Sequence, residues 1–244
     1  MEEVSRAVWD VYEQVCVAAL DCGDLETAES CHSKLKNQFP GSVRVQKLRG
    51  MILEASGKYS EALKFYEAAL EAEPTSSVLW KRKVAVFKAM GDAASAISEL
   101  NALLSVFMSD HEAWTELADL YLEKNNYEKA AFCLEELLLV NPHYHLHHQR
   151  YAEVCYSQKT VESLEVARKH FAMAAKLNPN NMRALYGFYM ASHSLSHHPK
   201  LKSRDAKTQS TRYCDWARAQ IRHKYMQFDT EKLQVVERML EKTQ

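Results

Sequence analysis

Residues 57–74, GKYSEALKFYEAALEAEP, return in outline 34 residues later as 91–108, GDAASAISELNALLSVFM, and again as 125–142, NNYEKAAFCLEELLLVNP. One step earlier the same outline reads GDLETAESCHSKLKNQFP over 23–40. Each copy opens on Gly or Asn (Gly23, Gly57, Gly91, Asn125) and carries a buried-size alanine in step (Ala28, Ala62, Ala96, Ala130). Each closes on Pro40, Pro74, Met108 or Pro142. Ala167 and Pro179 continue both series after a three-residue insertion. Glycine accepts the left-handed backbone that ends one helix before the next begins, and asparagine is the next most tolerant residue. Proline stops the second helix because it lacks the N–H that the ladder requires. A small side chain at one site of that second helix lets two helices approach closely. The chain is therefore expected to be all-α, built from antiparallel helix pairs.

A period of 34 residues built from two helices is that of the tetratricopeptide repeat. The pattern predicts helix pairs over about Val4–Phe39, Val43–Glu73, Ser77–Phe107, His111–Val140 and Tyr144–Leu177, with a divergent sixth from Met182. The expected architecture is a right-handed tetratricopeptide solenoid closed by C-terminal capping helices. Residues 1–192 form the repeat array, 193–210 a polar basic loop, and 211–244 the cap, since a solenoid end needs a polar outer face. The loop is expected from His193, His197, His198, Pro199 and a run of Lys and Ser. Aromatic residues at recurring offsets in the first helices, Tyr12, Trp80, Phe87, Trp114 and Tyr121, are expected to pack in the core.

The formal net charge of −1 offers no global field for nucleic acid, and none is expected as a partner. Charge is unevenly spread, however: His193–Gln227 holds eight Lys/Arg against two Asp. That segment suits a solvated face, an anionic headgroup surface or an acidic partner. No run approaches the roughly 20 apolar residues of a membrane span, and Met1-Glu2-Glu3 is unlike a signal peptide. A soluble cytosolic chain is expected. The six cysteines form no CxxC pair and read as buried free thiols.

Catalytic chemistry has no visible seat, for the chain lacks a P-loop, GxGxxG, GxSxG or cysteine-nucleophile signature. No cofactor is expected. Four imidazoles crowd into His143, His145, His147 and His148, but structural zinc sites draw on well-separated pairs, commonly with cysteine. The cluster reads as a turn and helix start with partly exposed histidines, and no metal is expected. The better signal is charge along the first helices, which line the groove of such an array. Helical spacing sets Arg44, Lys47, Lys81, Arg82 and Lys88 on that wall, followed by Glu112, Glu116, Asp119 and Glu123. These nine residues are the expected partner-binding site, basic in its N-terminal half and acidic beyond, a polarity that would orient a bound segment.

Residues 127–158, YEKAAFCLEELLLVNPHYHLHHQRYAEVCYSQ, and 181–192, NMRALYGFYMAS, closely resemble the family of subunit 2 of the endoplasmic reticulum membrane protein complex. Phe39-Pro40-Gly41-Ser42, Lys81-Arg82-Lys83 and Ala113-Trp114-Thr115-Glu116-Leu117-Ala118 extend the resemblance over nearly the whole chain. It implies a non-catalytic cytosolic scaffold within a hetero-oligomeric membrane-protein insertase that serves tail-anchored and multi-pass proteins. Such a subunit cradles cytosolic parts of the membrane-embedded subunits and docks a small soluble one. It would be peripheral on the cytoplasmic side of the endoplasmic reticulum, with indirect membrane contact. A rival reading is a co-chaperone adaptor gripping an acidic C-terminus through a Lys-Asn-Asn-Lys-Arg clamp. The asparagine places of that clamp hold Val17, Met51 and Ala85, so the amide donors a carboxylate needs are missing. An RNA-binding repeat would want a positive groove and stacking aromatics, which the acidic fourth unit opposes.

Overall fold

A computed structural model describes residues 2–228 and 230–242, and every element among them is a helix. The first unit of the chain, residues 1–113, and the second, 114–244, each form a compact body. In chain order the helices are α1 (Glu2–Asp21), α2 (Leu25–Gln38), α3 (Val43–Ala55), α4 (Tyr59–Ala72), α5 (Ser77–Ala89), α6 (Ala93–Val106) and α7 (His111–Glu123). They continue with α8 (Tyr127–Val140), α9 (His145–Gln158), α10 (Val161–Leu177), α11 (Met182–His197), α12 (Arg204–Phe228) and α13 (Thr230–Lys242). The expected helix pairs are present.

The punctuation between helices has a local cause. Gly23, Gly57 and Gly91 sit at φ of 77°, 71° and 76°, and Asn125 at 55°. The next residue, Asp24, Lys58, Asp92 or Asn126, sends its N–H back five positions to a helix carbonyl, satisfying an otherwise orphaned acceptor. Three of these same residues then cap the following helix: Asp24 accepts from Thr27 N–H, Asp92 from Ser95 N–H and Asn126 from Lys129 N–H. A fifth site on this grid, Lys159, adopts φ of 59° without glycine or asparagine, and Thr160 follows it with a reciprocal capping box to Ser163. At the other ends, Pro40, Pro74, Met108, Pro142 and Pro179 each lie directly after a helix C-cap.

Ala28, Ala62, Ala96, Ala130 and Ala167 are all fully enclosed. The three-residue insertion lengthens α10 to 17 residues, against 14 in α2, α4, α6 and α8. In the first unit the core runs through Cys16, Leu35, Leu48 and Ile52 and continues through Leu79, Val86 and Tyr66. Gly50 lets the Tyr66 ring lie against the α3 backbone, where a Cβ would overlap it. Within the second unit the enclosed residues include Leu117, Leu134, Leu137, Phe171, Leu195 and Ile221. The first-helix aromatics Tyr12, Trp80, Phe87, Trp114 and Tyr121 are half-buried, and Tyr12 packs against the core of Cys16, Leu35, Leu48 and Ile52 as expected; among the described residues Tyr66 and Tyr189 are more deeply enclosed.

The polar loop expected over 193–210 is confined to residues 198–203, with α11 and α12 occupying the rest of that stretch. Within that stretch Thr208 and Ser210 sit in a helix with their hydroxyls bonded to Arg204 O and Ala206 O, and the flanking Ser192 and Thr211 bond Phe188 O and Lys207 O in the same way. Ser192 and Ser210 are consequently buried without loss of a partner. α13 lays Val236 and Leu240 on α12, while Asp229, Thr243 and Gln244 of the expected cap lie outside the described residues.

Candidate functional site

The charged residues expected along the first helices fall into one recurring arrangement, in which most pair with an opposite charge on a neighbouring first helix. In the first unit Arg44 of α3 meets Asp10 at 3.5 Å and, more closely, Glu13 of α1. Arg82 of α5 grips Glu54 of α3 with both nitrogens, Nε at 3.1 Å. Glu54 also accepts the Tyr66 hydroxyl at 2.6 Å. Lys81 of α5 lies 2.8 Å from Asp110 and 2.7 Å from Glu112. In the second unit Arg150 of α9 pairs with Asp119 of α7, and Arg183 of α11 pairs with Glu153 of α9, Nη2 at 3.1 Å. Arg44–Glu13, Lys81–Glu112 and Arg150–Asp119 share a separation of 31 residues. Equivalent positions in adjacent repeats are 34 apart, and a side chain leaning one turn back along its helix meets the residue three positions short of that.

The pairs shift the groups they join. Burial alone would lower the Lys81 ammonium, but Asp110 and Glu112 outweigh it and hold the proton more tightly than usual. Asp110 mirrors this: burial opposes ionisation, while Lys81 and the Ala113 N–H bring its carboxyl below the ordinary range. Arg82 is likewise opposed by burial and raised by Glu54. Arg44, largely in solvent, is raised by Glu13 and then Asp10. Of the remaining expected residues, Lys47 is half-buried and pairs with none of the described carboxylates, Lys88 and Glu123 are exposed, and Glu116 is half-buried. The expected groove thus keeps its residues on the first helices but spends most of its charge inside the fold. Sequence reading missed Glu54, Arg150, Glu153 and Arg183, whose signal was an opposite charge 28–31 residues away.

Each unit has a cleft beside its own first helices. The second unit has a cleft of about 530 Å³ lined by Leu122, Leu146, Gln149, Arg150, Glu153 and Arg183. In the first unit Trp9, Phe39, Arg44 and Leu48 help line one of about 300 Å³. Val17, Met51 and Ala85, which hold the clamp asparagine places of a co-chaperone adaptor, are half-buried apolar side chains.

The histidine cluster is dispersed by its helix. His143 is exposed, His145 takes Asn178 and Asn181, and His147 meets the Tyr144 ring edge-on. His148 is buried, a departure from the partial exposure expected. Its Nε2 lies 2.9 Å from the Pro142 carbonyl, which accepts and so fixes a proton there. Its Nδ1 is then the acceptor for His170 Nδ1 at 3.0 Å. Burial, with His148 next, pushes the His170 pKa down to about 4, so the His170 ring is neutral at pH 7. Burial raises four thiols, Cys16, Cys133, Cys155 and Cys214, to about 11, leaving little thiolate on them. Cys22 alone among the six is exposed, which corrects the expectation that all are buried. In the basic segment Arg222 pairs with Glu237 and Lys224 bonds Asn180, whereas Lys200, Lys202, Arg204 and Arg212 are exposed and pair with none of the described carboxylates.

A family model described as the EMC2 TPR-like repeat domain matches residues 33–170. The chain is 47% identical over 243 residues to ER membrane protein complex subunit 2 of Xenopus tropicalis, covering 97% of this chain and 82% of that protein. A protein of the same name from Dictyostelium discoideum is 34% identical over 199 residues, 77% of this chain and 62% of its own length. Among solved structures, the C-terminal part of a TPR repeat-containing protein from Cytophaga hutchinsonii superposes with a TM-score of 0.64 over 93% of this chain and 87% of that one. At 16% identity, that likeness bears on the fold alone.

Proposed function

The chain belongs to the ER membrane protein complex subunit 2 family, and from that premise we propose that it is a non-catalytic scaffold subunit of such a complex. The observation that carries this reading is the 47% identity to the Xenopus protein, spread over 97% of the chain. It holds segments of partner subunits on the face made by its first helices. The paired charges there act mainly as cross-links that fix one first helix against the next, because satisfied ion pairs leave little charge for a ligand. Recognition in the second unit then falls to Leu122 and Leu146, because Gln149 already donates to Glu153 and accepts from Asn181. In the first unit Lys47, half-buried on α3, offers a cation to an incoming carboxylate.

Among the described residues no helix is long and apolar enough to cross a membrane. Association with the endoplasmic reticulum therefore runs through membrane-embedded partner subunits, at the cytoplasmic side, within a hetero-oligomer that also takes up a small soluble subunit. The assembly inserts tail-anchored and multi-pass proteins, and this subunit contributes geometry and no chemistry. Affinity purification of the tagged full chain from detergent-solubilised endoplasmic reticulum membranes tests the reading. Stoichiometric recovery of membrane-embedded subunits and a small soluble one is expected. Recovery of the chain alone, at parental abundance and correctly folded, overturns it.

A further inference from the structure

A second surface, on the opposite elements of the second unit, has the character of a docking cleft. Between α10, α11 and α12 lies a space of about 660 Å³ with Leu185 and Phe188 on its floor and Tyr213 and Trp216 on one wall. Phe188 is enclosed and holds Trp216 edge-on, centroids 5.6 Å apart, and Tyr213 at 5.8 Å. Trp216 nevertheless leaves half its surface in solvent. An indole so fixed has already lost its rotamer freedom, so covering it gains apolar burial at little further entropic cost.

Charge decides what kind of segment fits. Lys176 and Lys224 stand among the lining residues, and none of those residues is a carboxylate. The Arg168 guanidinium lies 4.9 Å from the Tyr213 ring centroid, at the same wall. The chain's own last helix is committed elsewhere: Val236 and Leu240 of α13 are buried, Glu237 pairs with Arg222, and the Leu240 carbonyl accepts from Arg218. We propose that the cleft between α10, α11 and α12 docks a partner-protein segment whose large apolar side chain covers Trp216 and whose flanking acidic residues face Lys176 and Lys224. This surface shares α11 with the first-helix face but is lined there by Leu185 and Phe188 and not by Arg183, and it does not rest on the scaffold reading above.

The probe is a display library of random peptides of about fifteen residues, the span of a short docking segment, selected on the full chain. Peptides with an aromatic or aliphatic anchor flanked by Asp or Glu are expected. Trp216→Ala should weaken them by more than about tenfold, with the melting midpoint held within a degree or two of the parent to exclude misfolding. Lys176→Glu should weaken the acidic peptides and strengthen versions in which their acids are changed to Lys, a rescue that damage to the fold does not give. Failure to recover any peptide, equal binding by parent and Trp216→Ala, or enrichment of basic flanks overturns the proposal. So does sedimentation showing a dimer that Trp216→Ala dissolves, which would make a second copy the occupant.

Discussion

Replacing Arg82 by Met isolates what the first-helix pairs do for the fold. The Glu54 and Arg82 side chains are 14% and 28% exposed, and Glu54 accepts from the fully enclosed Tyr66 as well. Without the guanidinium, a nearly buried carboxylate keeps only a phenol. At an effective dielectric near 20 a pair about 4 Å apart interacts by roughly 4 kcal/mol. Breaking a fully buried pair costs about 3–5 kcal/mol. Because a quarter of Arg82 sees water and Met restores some packing, the expected loss is about 2–3 kcal/mol. For a chain of this size that lowers the melting midpoint by roughly 4–12 °C. Arg44→Met, in a pair whose arginine is 69% exposed, should cost under about 1 kcal/mol. The double variant Glu54→Gln/Arg82→Met should be more stable than Arg82→Met, since the amide still accepts from Tyr66 and carries no charge. The assay is thermal melting by circular dichroism at 222 nm across the cycle. Equal midpoints for Arg82→Met and Arg44→Met, or strictly additive effects in the cycle, would refute the view that these pairs fasten the helices.

Ala62→Phe or Ala130→Phe should destabilise by roughly 1–3 kcal/mol, because both sites are fully enclosed and an added ring forces two helices apart; Lys64→Phe, on an exposed site, should change the midpoint little. Stability should also fall on acidification. His170 is held at a pKa of about 4, against an ordinary value near 6.5, so the unfolded chain binds the proton first and stability is lost as pH drops from about 6.5 toward 4. The partly exposed ring limits the effect to about 1–2 kcal/mol, and His170→Gln should flatten that part of the pH–stability curve. Parallel curves for parent and variant would remove His170 as the cause.

What was legible in the sequence is whatever the backbone demands of one residue at a time. The left-handed sites at Gly23, Gly57, Gly91 and Asn125 and the closely packed alanines each exclude most side chains, so residue identity alone announces them. Lys159 escaped because a lysine tolerates φ of 59° at a modest cost that leaves no compositional trace. The serine-rich stretch after Ser192 misled in the other direction. Hydroxyls that signal a loop when they compete with the backbone can equally bond their own helix, and the sequence does not say which. For the site, helical spacing correctly laid Arg44, Lys81 and Arg82 on the first helices. It did not reveal that Glu13, Asp110 and Glu54 reach them, because pairing between repeats depends on the lean of side chains across an interhelical gap. Likewise His148 and His170, 22 residues apart, meet only through the packing of α9 on α10.

The scaffold reading is tested most directly by placing a photo-crosslinking amino acid at Leu146, in the first-helix cleft of the second unit, and separately at Leu139, an exposed position on the second helix α8. Irradiation of the assembled complex in isolated membranes should join Leu146, and not Leu139, to another subunit. Adducts from Leu139 with none from Leu146 would contradict the account and move partner binding off the first-helix face.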